Sequence, residues 1–186
     1  PCLTGCKSEV LFGTYNLSLT HNSCYIPLIV NFLGIKMQID VKVASSSELK
    51  GIATLFNEYR IFYQQQSNIS LAESFISARI TNDESIIFYA INEEGQYLGF
   101  TQLYRTFSSV SAQKSLILND LYVAEIARRQ GVGKLLLNTA KNYALEHNVK
   151  GLALSTAVDN INAQTLYESL GYQKDTEDFH YFLTVN

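Results

Sequence analysis

Two glycines and three cations fall within seven residues of this chain, Arg128-Arg129-Gln130-Gly131-Val132-Gly133-Lys134. They follow an apolar run at 118–123, and beyond them Val132, Leu135, Leu136, Thr139, Ala140, Tyr143, Ala144 and His147 recur at alternating spacings of three and one. A strand therefore runs through a short loop into a helix, with the glycines at the helix start. Free N–H groups and a partial charge of about +0.5 collect there, and glycine lets a ligand approach the backbone closely. Such a start is a cradle for an anion such as a pyrophosphate, and Arg128, Arg129 and Lys134 add fixed charge around it. The alternative reading is a tight strand-to-helix turn. A Walker loop needs G-x-x-x-x-G-K-[ST], but Arg128 stands five before Gly133 and Leu135 follows Lys134. That pattern fails at both ends, and a nucleotide triphosphatase with it. A dinucleotide fingerprint fails because Leu136 occupies its third glycine position and the strands ahead read as a meander.

A second segment is Asn160-x-x-Ala163-x-x-Leu166-Tyr167-x-x-x-Gly171-Tyr172. Its spacing makes an amphipathic helix in which Ala163, Leu166, Tyr167 and Leu170 share a face. Taken alone, Tyr167 on that face reads as core packing. Taken together, the two segments are more specific. Arg128-x-x-Gly131-x-Gly133 after Leu121-Tyr122-Val123 resembles the R/Q-x-x-G-x-G/A motif of the GNAT acetyltransferases. The second segment resembles that family's N-x-x-A-x-x-L-Y-x-x-x-G-F pattern, with Tyr172 at the usual Phe. The similarity covers most of residues 37–186. Residues 99–104 (GFTQLY), Phe107-Ser108-Ser109 and residues 118–123 (LNDLYV) also resemble an uncharacterised bacterial subgroup. That subgroup carries Pro where Arg105 stands here, a departure that bears on the substrate pocket rather than on the cofactor.

The resemblance implies an α/β (α+β) domain of the GNAT fold: a mixed, mostly antiparallel central sheet, splayed in the middle, with flanking helices. It implies acetyl-CoA as acetyl donor, with the amides of Arg129, Gln130, Gly131, Val132, Gly133 and Lys134 on the pyrophosphate and Arg128 beside them. Main-chain groups of Leu121, Tyr122 and Val123 then pair with the pantetheine arm, and Asn160 and Ala163 belong to the same cofactor-binding set. Tyr167 comes beside the acetyl-CoA sulfur as general acid. The family also offers, by analogy, a homodimer.

Acetyl transfer needs a neutral amine, whereas a lysine-like amine has a reference pKa of about 10.4, so a base or a desolvating site must remove a proton. Asp120 is the first candidate base and Glu58 the second. Each has a plainer reading, a braced bulge for Asp120 and a solvated helix residue for Glu58. A bulge near Asn119-Asp120 is expected to splay the third and fourth strands and free backbone groups for the pantetheine. The family's acceptor pocket lies over the first two helices and the splay, where this chain supplies Glu58, Tyr59, Arg60, Tyr63, Gln64, Tyr104 and Arg105. Rings beside an acid suit an ammonium by cation–π and charge contacts. The expected substrate is therefore a small primary amine, polyamine or amino-acid-like, attacked directly; core packing of the aromatics is the competing reading. The alternative function is an acetyl-CoA-binding module that acts through a protein partner or acetylates a protein amine.

The elements that must position these residues follow from periodicity. Residues 37–43 alternate as a strand, Ser45, Ser46 or Ser47 caps a helix running to about Gln65, and Ser70 starts a shorter helix. Strands are expected at 85–91, 96–107 and 115–123 as an antiparallel meander. After the long helix come a short strand at 151–156, a helix at 160–170 ended by Gly171, and a final strand at 179–185. Pro1 stands at the start, and the single methionine, Met37, opens the first alternating run. Residues 1–36 are thus expected to be an N-terminal extension, non-native or accessory, and 37–186 the catalytic domain.

The chain has 186 residues, enough for one domain with a full core. A formal charge of −3 gives no electrostatic footprint for nucleic acid. Cys2, Cys6 and Cys24 all precede Met37, so the body has neither a disulfide framework nor a thiolate metal site, and no metal is expected. The apolar stretch at 24–35 is too short to cross a bilayer, so no membrane role and a cytoplasmic location are expected.

Overall fold

Ile39 and Val41 are half-buried between the exposed Asp40 and Lys42, which makes strand β1 (Ile39–Val43) one-sided. The computed structural model describes residues 38–185; the expected extension at 1–36 and the start at Met37 lie outside them. Ser45 ends the strand by forming a capping box. Its Oγ accepts from Ser47 N at 3.3 Å and its own N–H donates to Glu48 Oε2 at 2.9 Å, which satisfies two donors that a helix start leaves open. Helix α1 (Leu49–Phe62) follows a single 3-10 turn, and α2 (Ile69–Thr81) is capped by Asn68 Oδ1 accepting from Leu71 N at 3.0 Å.

Strands β2 (Ser85–Asn92), β3 (Tyr97–Ser108) and β4 (Gln113–Val123) form the expected meander, and β1 pairs antiparallel with β2. Helix α3 (Val132–Glu146) is the crossover that brings β5 (Leu152–Ala153) parallel to β4, as a parallel pair requires. Helix α4 (Ile161–Ser169) comes last, and the sheet order is β1-β2-β3-β4-β5. Helices cover both faces, so β2 reads as a nearly continuous apolar run. On one face Ile86, Phe88, Leu98, Leu103, Leu116 and Leu118 pack with Val132, Leu136, Leu137 and Ala140 of α3. On the other, Ile87, Tyr89 and Phe100 pack with Ile52, Phe56, Ala72 and Ile76 of α1 and α2.

Two expectations are corrected. The bulge is where it was expected, since Gln102 pairs with Asp120 and Leu103 with Leu118, so that Asn119 is the extra residue. The third and fourth strands nevertheless stay paired from Gly99↔Val123 to Ser108↔Gln113. The sheet opens on the opposite edge of β4: β5 pairs only through Leu116↔Leu152 and Ile117↔Ala153. A bulge bends its strand without detaching the partner, and β5 is too short to follow β4 beyond Ile117. The second correction is the final strand, because residues 179–185 form none. Phe179, Tyr181, Phe182 and Leu183 are 81–92% exposed, and alternation alone makes no ladder without a partner edge.

Gly99 marks how tightly β3 and β4 approach. A Cβ there meets Tyr122 O at 2.5 Å and Val123 Cα at 3.2 Å, both of them backbone. Gly99→Ala is therefore expected to destabilise the protein by about 1–3 kcal/mol, read as a lower urea midpoint at an unchanged slope.

Candidate active site

The loop between β4 and α3 curls on itself. A 3-10 turn (Glu125–Ala127) is followed by Arg129 at φ 62° and Gly131 at φ 85°, two left-handed residues separated by one. Alternation of this kind turns successive N–H groups toward one concavity, a backbone nest that favours anions. Gly131 is the N-cap of α3 and no side chain caps that helix start, so its first amides remain available. Gln130 Nε2 donates to Ile126 O at 2.8 Å and braces the curl. Gly133 faces α4, where a Cβ would stand 3.2 Å from Leu166 Cδ2, so the cradle packs directly on the helix that carries Tyr167. Arg129 and Lys134 are exposed around it. Arg128 points elsewhere: its Nε donates to Val123 O at 3.2 Å and its guanidinium lies 5.7 Å from the Phe62 ring centroid.

Beyond the last β4–β5 pair, Leu121, Tyr122 and Val123 continue β4 with no β5 residue opposite them. Asn160 caps α4, its Oδ1 accepting from Ala163 N at 3.3 Å. Both motif residues thus set the start of the helix that holds Tyr167.

Asp120 sits where the bulge and the splay meet. Phe100 and Tyr122 are a cross-strand pair in the core beneath α1, and the period-two alternation of a strand puts the next pair, Gln102 and Asp120, on that same face. Asp120 is 4% exposed. Its carboxylate accepts from Asn119 Nδ2 at 3.2 Å to each oxygen, and the Tyr59 hydroxyl is within hydrogen-bonding reach. Burial raises the Asp120 pKa above the ordinary aspartate value, opposed by these two donors. The Tyr59 hydroxyl is also pushed strongly upward, first by burial and then by the Asp120 charge, with smaller influences from Tyr63 and Tyr167. Those four groups therefore occupy one neighbourhood. The Tyr59 and Tyr63 rings are 4.9 Å apart, and Tyr167 lies 5.8 Å from Tyr172. Burial raises Tyr167 above the ordinary tyrosine value and pushes Tyr172 to about 12.

The expected acceptor residues divide between two places. Tyr59 and Tyr63 join Asp120 and Tyr167, and Tyr104 lies nearby on β3, bonded to Gln102. Glu58 faces away from them. It lines a cavity of about 770 Å³ with Tyr122, Phe62, Ile126 and Arg128, and none of Asp120, Tyr59, Tyr63, Tyr104 or Tyr167 borders that space. Arg105 holds the turn before β2, donating to Asp83 O at 2.7 Å and to Asp83 Oδ1 at 3.0 Å. The sequence marked Asn119 only as part of a bulge and gave Gln102 no role at the site. A polar residue amid the apolar run of β3 was the available signal for Gln102; nothing local marked Asn119 as the donor to its neighbour. Among the described residues no cluster of His, Cys, Asp or Glu could hold a metal ion, and no helix is long and apolar enough to cross a membrane.

The site thus combines an uncapped helix start on a backbone nest, a parallel pair that ends after two residues, and a buried carboxylate on β4 just past that end. Residues 52–172 match the acetyltransferase (GNAT) family. The chain is 48% identical over 147 residues to an uncharacterized N-acetyltransferase, YhfO, of Bacillus subtilis (strain 168), spanning 79% of this chain and 98% of that protein. A crystal structure of a probable acetyltransferase superposes with a TM-score of 0.75 at 41% identity, over 79% of this chain and 98% of the other. An aminoglycoside N-acetyltransferase, AAC(6')-Iy, in complex with CoA shares the fold at a TM-score of 0.68 and 16% identity, over 80% of this chain and 97% of its own. The chain belongs to the GNAT acetyltransferase family.

Proposed function

We propose that this acetyltransferase moves the acetyl group of acetyl-CoA to the primary amine of a small molecule by direct attack, with Asp120 as base and Tyr167 as acid. The observation that carries the reading is a helix start left uncapped by side chains on a backbone nest, with the buried Asp120 on the strand that leads into it. When bound, acetyl-CoA supplies an activated acyl group as its thioester. The cradle at 129–134 suits the pyrophosphate, because its amides are convergent and its charge is positive. Leu121 and Val123 offer main-chain groups along the open flank of β4, and a free N–H there polarises the acyl oxygen as negative charge grows.

The chain's own groups then handle two protons. Asp120 takes one from the bound ammonium and so frees the lone pair that attacks, a task its burial favours, since a raised pKa makes the carboxylate a stronger base. Tyr167 keeps its proton because burial disfavours the phenolate, and it delivers that proton to the leaving sulfur. The nitrogen–carbon bond forms as the carbon–sulfur bond breaks; the second proton shed by the new amide nitrogen replaces the one Tyr167 gave to the sulfur, and no acyl group rests on the protein. Glu58 lies off this route, so the assignment of base rests on Asp120 alone. In this reading neither a metal nor nucleic acid takes part.

Free thiol released from acetyl-CoA, followed against a panel of small amines, tests the proposal. Amine-dependent release is expected; CoA binding without release on any amine would leave a binding module instead. Gly131→Ala supplies a second test. Its Cβ meets nothing within 4 Å, so the cost is the left-handed backbone alone, about 1–2 kcal/mol. We expect a drop of that size in stability together with weaker CoA binding by titration calorimetry.

A further inference from the structure

The helix-facing side of β3 holds a second group of polar side chains that the two proton transfers do not use. Gln102 is fully buried. Its Nε2 donates to Ser85 Oγ at 2.7 Å and to Tyr104 Oη at 3.1 Å, while its Oε1 has no partner among the described residues. The Arg79 guanidinium lies beside the Tyr104 hydroxyl. The tyrosine oxygen accepts from Gln102, so its own proton is left for another group. Arg79 is held in place by Phe75, whose ring centroid is 3.8 Å from Cζ, and Phe75 stacks on Phe56 at 5.0 Å. Arg79 Nε is buried without a hydrogen-bond partner. Glu84 Oε2 stands 3.7 Å from it, an ion-pair separation longer than a hydrogen bond.

One cluster therefore carries an unused buried acceptor, an unused buried donor and a free hydroxyl proton. Leaving such groups unpaired in the interior is costly, and native proteins rarely do so without a reason. Their order along β3 supplies one. Gln102 is the register partner of Asp120, and its amide reaches Tyr104 Oη on the other side. Tyr104 follows two residues further along β3 on the same face and brings Arg79 with it. An acceptor at Asp120 and donors at Arg79 and Tyr104, with the Gln102 amide beside them, match a molecule with an ammonium and a carboxylate on one carbon, each reaching out by a hydrogen bond of about 2.9 Å.

We infer that the acetyl acceptor is an amino acid, its amine held between Asp120 and Gln102 and its carboxylate held by Arg79 and Tyr104. The inference rests on the reading of Asp120 as the group that receives the amine's proton. A polyamine fits less well, because its second ammonium meets the permanently charged Arg79.

The test compares alanine, phenylalanine and lysine, each in both enantiomers, with ethylamine, phenethylamine, cadaverine and spermidine. Wild-type protein is expected to acetylate at least one amino acid at least about tenfold more efficiently, in kcat/KM, than its decarboxylated counterpart. Arg79→Met and Tyr104→Phe are each expected to lower that ratio toward one, with a thermal melt recorded for both to confirm folding. Equal or better use of the decarboxylated amines or of spermidine overturns the inference and leaves the proposed acetyl transfer standing. If no compound is acetylated, titration of the same amino acids into the protein with CoA decides. Binding lost in Arg79→Met and Tyr104→Phe upholds the amino-acid site and removes the catalytic reading; absence of binding overturns the site.

Discussion

Asp120→Asn is expected to lower kcat by about 100- to 10,000-fold, the usual worth of a positioned base, while CoA binding is retained. The substitution keeps the shape and can still accept from Asn119, but it cannot take a proton. The pH dependence carries the sign of the effect. Burial raises the Asp120 pKa, and the base works only when ionised. In wild-type protein kcat/KM therefore falls as pH drops through that raised value, above the ordinary aspartate range, and this acid limb disappears in the variant.

Stability moves the other way. A carboxyl whose folded pKa exceeds its unfolded one contributes stability that is complete below the unfolded value and is lost as pH rises through the folded value. At neutral pH the ionised Asp120 is thus a burden on the fold, and Asp120→Asn is expected to raise the unfolding temperature there. Loss of activity with a gain in stability is the pattern of a strained functional group. Loss of both would mark Asp120 as a brace for the bulge.

Tyr167→Phe is expected to lower turnover by about 100-fold with little change in CoA affinity. The ring stays packed near Tyr172 and only the hydroxyl proton is lost, so the cost falls on departure of the sulfur rather than on binding. The deficit should shrink for an acyl donor whose thiol is more acidic and leaves without help. An unchanged rate with acetyl-CoA would remove Tyr167 from the acid role and return it to core packing.

Features written in local spacing were legible. The cradle could be read from Arg128 to Lys134 because a left-handed N-cap calls for glycine, here at Gly131, and α3 declared itself through its spacing of apolar residues. The meander followed from alternation between short polar turns. What depended on distant partners was not legible. The bulge at Asn119 could be foreseen, but which edge of β4 opens is decided by the two-residue length of β5. Residues 179–185 alternate like a strand, yet no sheet edge in the structure receives them. Tyr59 and Asp120 are 61 positions apart, and only the packing of α1 over β3 and β4 brings that hydroxyl to that carboxylate. Glu58, one residue earlier, is turned by the helical period toward the cavity lined by Tyr122, Phe62 and Arg128 instead. Gln102 illustrates the remaining case: its polarity stood out within an apolar strand, but its unpaired oxygen is a property of the folded neighbourhood.

Direct transfer is tested most directly by a single turnover with acetyl-CoA labelled in the acetyl carbonyl, quenched and read by mass spectrometry of both small molecules and protein. We predict label on the amine nitrogen of the product at all times and none bound to the protein, with formation slowed by Asp120→Asn and by Tyr167→Phe. Label held on a protein side chain before the product forms, or CoA bound with no labelled amine at all, would contradict it.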